Sequence, residues 1–256
     1  MNTTQLQLRQ AYYQWLASPS PSHPRGGRVA GEKTVRGFKK GQALADESQA
    51  GWQALYAALL GRAPGRVWIW SDLHLFHKNI IRYSGRPFFS TEQMNEALLM
   101  AAEAVVAPED WLVFAGDLSF GSMEDTADWL AQLDCRKATL LGNHDVDRQE
   151  KTQGWSSLGF EAVADVQAWD LPVAWEMADG RRIRSLWLTH YPLPDERIPA
   201  GVLNIHGHTH DKNLGGKRLN VSVEQVDYQP QLLRDWVEAQ VLLPPQMGMD
   251  EGLAKE

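Results

Sequence analysis

An intrachain disulfide is excluded at the outset, because the chain of 256 residues holds a single cysteine, Cys135. A lone thiol closes no intrachain bridge and suits a small buried position in a reducing compartment. Long apolar runs are missing too. No stretch approaches the roughly 18 apolar residues of a membrane span, and the opening "MNTTQLQLRQAYYQWLASPSPSHPRGG" lacks both the charged leader and the apolar core of a secretory signal. These absences predict a cytoplasmic protein with no membrane partner. Positive charge is also scarce, since 25 Lys and Arg against 32 Asp and Glu leave a formal net charge of -7. That balance provides no broad basic field for a duplex backbone, so long nucleic acid is not the expected partner.

What remains is an ordinary globular composition, 43% hydrophobic and 22% charged, with enough length for a substantial core. The 11 Trp are expected to fill core and inter-helix space. Periodicity predicts a helix over 5–17, a Pro/Ser/Gly linker over 18–28 that cannot continue it, and a second helix over 46–61. His23, inside the linker, needs no role. Residues 1–64 therefore form an N-terminal helical extension, with 1–27 expected to stand outside the catalytic core; the alternative is that the 5–17 helix packs on that core.

From residue 66 onward the chain alternates strand and helix. A buried strand over 66–71 ends on Asp72 and His74, a helix near 91–106 follows, and the strand "WLVFAG" over 111–116 ends on Asp117. "SMEDTADWLAQL", 122–133, opens with a Ser-x-x-Asp helix start, and the strand over 137–142 leads to Asn143, His144 and Asp145. Polar residues gathered beyond the carboxyl ends of strands are the layout of an α/β site. Runs at 160–170, 183–190, 202–206 and 217–223 are strand-like with short connections, which suggests a second, more antiparallel sheet. It contributes His190 and the "NIHGHTH" cluster of His206, His208 and His210. A helix near 229–241 precedes a tail over 244–256 that is expected to be disordered.

The ordered set Asp72-x-His74, Gly116-Asp117, Gly142-Asn143-His144-Asp145, His190 and Gly207-His208-x-His210 resembles the calcineurin-like metallophosphoesterase superfamily. The stretch "SDLHLFHKNIIRYSGRPF" is similar to small bacterial and phage members. The resemblance spans about residues 66–230 and implies a metallophosphoesterase domain over 65–243. It implies an α/β fold, a four-layer αββα sandwich of two mixed sheets with the metals where strand ends converge. It further implies two divalent ions. By the same resemblance Asp117 would bridge them, Asp72, His74 and His210 would complete one shell, and Asn143, His190 and His208 the other. Carboxylate, imidazole and amide oxygen without thiolate suit Mn, with Fe or Zn as alternatives. In the family pattern His144 is a general acid for the leaving group and Asp145 holds its imidazole, while a metal-generated hydroxide attacks phosphorus.

The remaining candidates are less specific. His77, Lys78, Asn79, Arg82 and Arg86 follow the first ligands and could fold a guanidinium over the phosphate, or could form a solvated basic loop. His206 lies outside the family's ligand set and is expected to support or pack. Gly116, Gly142 and Gly207 each precede a ligand at a sharp turn. The expected activity is hydrolysis of a small phosphomonoester or phosphodiester, with nucleotides among the candidates. A nuclease on the same site needs a basic groove or an aromatic platform near the metals. A non-catalytic scaffold need not keep His144, and residues 1–64 offer a surface for a protein partner.

Overall fold

The computed structural model describes residues 3–16, 48–145 and 155–245; the 18–28 linker and the tail beyond 245 lie outside the described residues. Its helices are α1 (Thr3–Leu16), α2 (Gln49–Leu59), α3 (Ile80–Tyr83), α4 (Thr91–Glu103), α5 (Met123–Ala131) and α6 (Leu233–Ala239). The strands are β1 (Val67–Trp70), β2 (Trp111–Phe114), β3 (Arg136–Leu140), β4 (Ala162–Ala164), β5 (Val166–Glu176), β6 (Arg182–Thr189), β7 (Val202–His206), β8 (Arg218–Asn220) and β9 (Gln231–Leu232).

Two sheets form, in the orders β4-β3-β2-β1-β9 and β5-β6-β7-β8. The first is parallel except for β9, which adds antiparallel to β1. Its inner strands are buried on both faces, as parallel strands under helices must be. Val67, Ile69, Trp111, Val113, Ala138 and Leu140 face the second sheet, meeting Leu186, Leu188, Leu203 and Ile205 in the central core. The alternate residues Trp68, Trp70, Leu112 and Phe114 turn outward beneath Met94 and Leu98 of α4 and Trp129 and Leu130 of α5. The Ser122 start of α5 is a full capping box with Asp125.

Several expectations change on folding. The 160–170 run divides at Asp165: β4 joins the first sheet and β5 opens the second. The second sheet is mixed, with β5/β6 antiparallel but β6/β7 and β7/β8 parallel. The crossovers that parallel pairs require run through residues 190–201 and 207–217, whose short polar connections look like hairpin loops in sequence. Residues 231–232, expected within a helix, form β9 instead, and the helix begins at Leu233. The chain remains pinned as far as Leu243, whose carbonyl accepts from Gly216 N at 2.8 Å.

The N-terminal helix packs on the core. α1 is a layer of the sandwich and not an appendage, so residues 3–16 do not stand apart from it. Leu8, Tyr12, Trp15 and Leu16, one stripe at helical spacing, cover Val166, Ala168, Trp187 and Tyr191 on the outer face of the second sheet. Gln5 also closes the open edge of β5: its Nε2 donates to Val166 O at 3.0 Å and its Oε1 accepts from Ala168 N at 2.6 Å. Among the described residues no helix is long and apolar enough to cross a membrane. Because Leu8 is fully buried in this layer, Leu8→Ala is expected to cost about 3 kcal/mol of stability. A urea midpoint equal to wild type would show that α1 contributes no packing to the fold.

Candidate metal centre

Each cluster residue sits where a strand hands over to a loop. Asp72 follows β1, Asp117 follows β2, Asn143 follows β3, His190 follows β6, and His208 and His210 follow β7. A bridge between Ser71 and Ser222 ties the two halves at this edge. The turns are tight enough to force left-handed backbone at Asp72 (φ 58°), His74 (50°), Asp117 (52°), His208 (67°) and His210 (47°). Each such residue costs on the order of 1 kcal/mol, and this concentration of strain marks a site the fold holds in place. Local bonds hold it: Asp72 N donates to Gly116 O and His74 N to Asp117 O, both at 3.1 Å. Gly116 itself has φ 99°, and a Cβ there would run into the His190 ring.

Two trios result, Asp72, His74, His210 and Asp117, His190, His208, each with one ligand atom per residue within 4.8 Å of the others. Asp117 lies between them. Its Oδ2 is 3.3 Å from His190 Nε2 and 3.7 Å from His74 Nε2, while its Oδ1 accepts from His144 N at 3.0 Å. Asn143 Oδ1 is 3.0 Å from His190 Nε2, on the second trio's side. Asp72 Oδ2 accepts from His208 N and Ser222 Oγ, both at 2.9 Å. Asp72 Oδ1 and His74 Nε2 are buried, 3.8 Å apart, and without a hydrogen-bond partner. Orphaned donor atoms of this kind, oxygen and imidazole nitrogen converging on one point, fit a divalent cation.

A family model for calcineurin-like phosphoesterases matches residues 65–253. The chain belongs to that family. An uncharacterized protein of Methanocaldococcus jannaschii is 28% identical over 175 residues, which are 64% of this chain and 85% of that protein. The gene 66 protein of Mycobacterium phage L5 is 26% identical over 163 residues, 56% of this chain and 77% of its own length. The crystal structure of a protein of unknown function from Aquifex aeolicus is 26% identical and covers 68% of this chain and 98% of that one, with a TM-score of 0.49. Family membership and the two clusters together support a metal-dependent phosphoesterase.

Electrostatics in this calcineurin-like phosphoesterase keep the carboxylates of both trios ionised. Burial works against the Asp72 and Asp117 carboxylates, yet the surrounding imidazoles outweigh it and hold both well below the usual carboxylate range. Burial keeps His74 and His208 neutral, pushed down to about 4 and about 3. His190 goes the other way, up to about 10, because Asp117 overcomes the cost of burying its imidazolium. Asp117 and His190, 3.3 Å apart, thus favour each other's charged forms.

Two expected roles change. Asp145 does not hold the His144 imidazole. It is buried beneath the loop, where its Oδ2 accepts from Asp117 N and Gly142 N, both at 2.8 Å, and so fixes the turns that carry Asp117 and Asn143. Burial, with Asp117 nearby, pushes its carboxyl up to about 7. Arg86 does not face a substrate. Its guanidinium is buried, donating to Asp72 O and Leu73 O at 2.7 Å each and pairing with Glu224 at 2.8 Å. The reason is topological: the β1 loop has carbonyls turned inward, and a forked cation satisfies them.

The other candidates lie near the mouth. His144 is half-exposed, its Nε2 3.8 Å from Asp117 Oδ2. His77 Nδ1 is 3.4 Å from His74 Nδ1. Asn79 and Arg82 are exposed, and the Arg82 guanidinium lies over Tyr83 at 5.6 Å. His206 is buried with its Nδ1 2.8 Å from Gly207 O, a packing position. Glu224, which sequence reasoning missed, sits 3.0 Å from His210 Nδ1 and orients that ring. Nothing in "VSVEQVD" signals this, because the partner is reached only through the fold. Arg86→Met should strand the Glu224 carboxylate and cost about 3–5 kcal/mol in a urea titration. A phosphate clamp would instead raise KM and leave the urea midpoint unchanged.

Proposed function

We propose that the chain is a dinuclear metal phosphoesterase that hydrolyses a small phosphomonoester or phosphodiester. The observation that carries this reading is Asp117, a single carboxylate oxygen within 4 Å of imidazole nitrogens from both trios. Asp72, His74 and His210 would hold one cation, Asn143, His190 and His208 the other, and Asp117 both. Mn is the favoured metal for this oxygen and nitrogen donor set, with Fe or Zn as alternatives. When bound, such a pair supplies positive charge for the phosphoryl oxygens and acidifies water near neutral pH.

The chain's own residues do the rest. His144, half-exposed and with its backbone anchored on Asp117, would give a proton to the departing ester oxygen. Asp145 acts as a positioning residue under the Asp117 and Gly142 turns. Asp72, braced by Ser222 and by the His208 backbone, stays ionised and fixed. Cytoplasmic residence and a small-molecule partner accord with the composition. A protein partner would have to use parts of residues 1–64 other than the apolar stripe of α1, which the second sheet covers.

Replacing the shared charge tests the assignment. Asp117→Asn should lose about one metal equivalent and most turnover, and full occupancy by elemental analysis would refute the bridge. His144 is tested by leaving-group dependence. His144→Ala should slow an alkyl phosphoester by about 10² to 10⁴ but a nitrophenyl ester far less, because a phenolate hardly needs a proton. Equal single-turnover losses on both esters at full metal content would assign His144 to phosphate positioning instead.

A further inference from the structure

The four histidines of the two trios are not held alike. His190 has its Nδ1 2.9 Å from Ala115 O, His210 its Nδ1 3.0 Å from Glu224 Oε1, and His74 its Nδ1 3.4 Å from His77 Nδ1. Among the described residues the His208 ring has no such partner, and only its backbone is tied, by the bond from its N to Asp72 Oδ2 at 2.9 Å. An imidazole ligand without a tether on its second nitrogen must be oriented by packing. Rotation about its side-chain bonds would otherwise carry the ligand nitrogen away from the ion.

Tyr191 supplies that packing. Its buried ring stands edge to face with His208 at 4.5 Å and 69°, and with His190 at 5.4 Å and 63°, so it meets both imidazoles of the second trio. Its backbone is fixed, because Thr189 Oγ1 donates to Tyr191 O at 2.6 Å and Asn204 Nδ2 donates to Thr189 Oγ1 at 2.9 Å. Behind the ring lies α1. Trp15 meets Tyr191 at 6.1 Å and 71°, and Tyr12 meets Trp15 at 6.2 Å, all three rings being buried. The first trio is braced differently, through the Glu224 carboxylate that His210 shares with Arg86.

We infer that Tyr191 is a positioning residue for His208 and that α1, through Trp15, holds it in place. Retention of the second metal ion then depends on a helix that precedes the 65–253 stretch matched by the family model. The inference rests on the dinuclear reading of the centre and adds to it an asymmetry between the two positions. The second ion is coupled to α1 by a chain of ring contacts, whereas the first is coupled to the Glu224 and Arg86 pair.

The test is metal occupancy of the full-length chain, dialysed against buffers of graded free Mn²⁺ and read as ions per chain by elemental analysis, with Zn²⁺ in its place if Mn²⁺ is not retained. Wild type should fill two positions. Tyr191→Leu, which keeps an apolar side chain and loses the ring, should weaken one affinity by about 10- to 100-fold and spare the other. Tyr191→Phe should retain both. Trp15→Ala should weaken the same affinity as Tyr191→Leu, and Trp15→Phe should restore it. Val202→Ala removes apolar burial from the same layer at the end of β7 remote from His208, so it should lower the urea midpoint and leave both affinities unchanged. Equal affinities in wild type and Tyr191→Leu overturn the inference and leave the dinuclear reading intact. Loss of both affinities together overturns the assignment to His208. An equal loss in Tyr191→Phe overturns the ring contact in favour of the hydroxyl, and an equal loss in Val202→Ala overturns positioning in favour of stability alone. If Tyr191→Leu does not fold, the Trp15 variants decide, and unchanged affinities in Trp15→Ala overturn the part given to α1. A wild-type chain that never holds a second ion overturns the dinuclear reading, and the position that α1 would serve falls with it.

Discussion

The Asp117 carboxylate is the point on which both sheets close. One oxygen accepts from the His144 backbone of the first sheet's loops, and the other faces His190 from the second sheet and His74 from β1. Its charge also offsets the cost of burial at His190, whose ring lies 3.3 Å away. The surrounding groups follow from this constraint. Asp145 grips the Asp117 backbone from below, Gly116 leaves space for the His190 ring, and left-handed turns carry five of the clustered side chains.

Such a pocket of buried acids and imidazoles is not self-supporting. Three carboxylates, Asp72, Asp117 and Asp145, are buried at one edge, and the proximity of Asp117 helps to raise Asp145. Strained backbone adds to that burden at five of the cluster positions. The surplus stability comes from apolar layers on either side of each sheet, where Trp70, Trp111, Phe114 and Trp187 are fully buried. The strand ends can tolerate strain because the strand bodies are so well packed.

α1 links that packing to the site. It covers the second sheet, and Trp15 reaches Tyr191 at 6.1 Å, which in turn lies 4.5 Å from His208. A segment preceding the family's own span thus completes a layer and backs one wall of the centre.

The sequence by itself determined which acids and imidazoles stand at the ends of the buried strands. Acid and imidazole placed directly after buried strands at 66–71 and 111–116 can be read locally, because strand periodicity and turn chemistry are short-range properties. The Ser122 helix start was legible for the same reason. Tertiary structure alone decided the rest. Whether β7 and β8 run parallel depends on crossovers whose length looks like a hairpin, and whether α1 is a layer or an appendage depends on a sheet more than a hundred residues away. Arg86 shows the limit most plainly. Its position after the first ligands admits a phosphate clamp, but a guanidinium goes where unsatisfied carbonyls and a buried carboxylate lie, and Glu224 reaches it only through the fold.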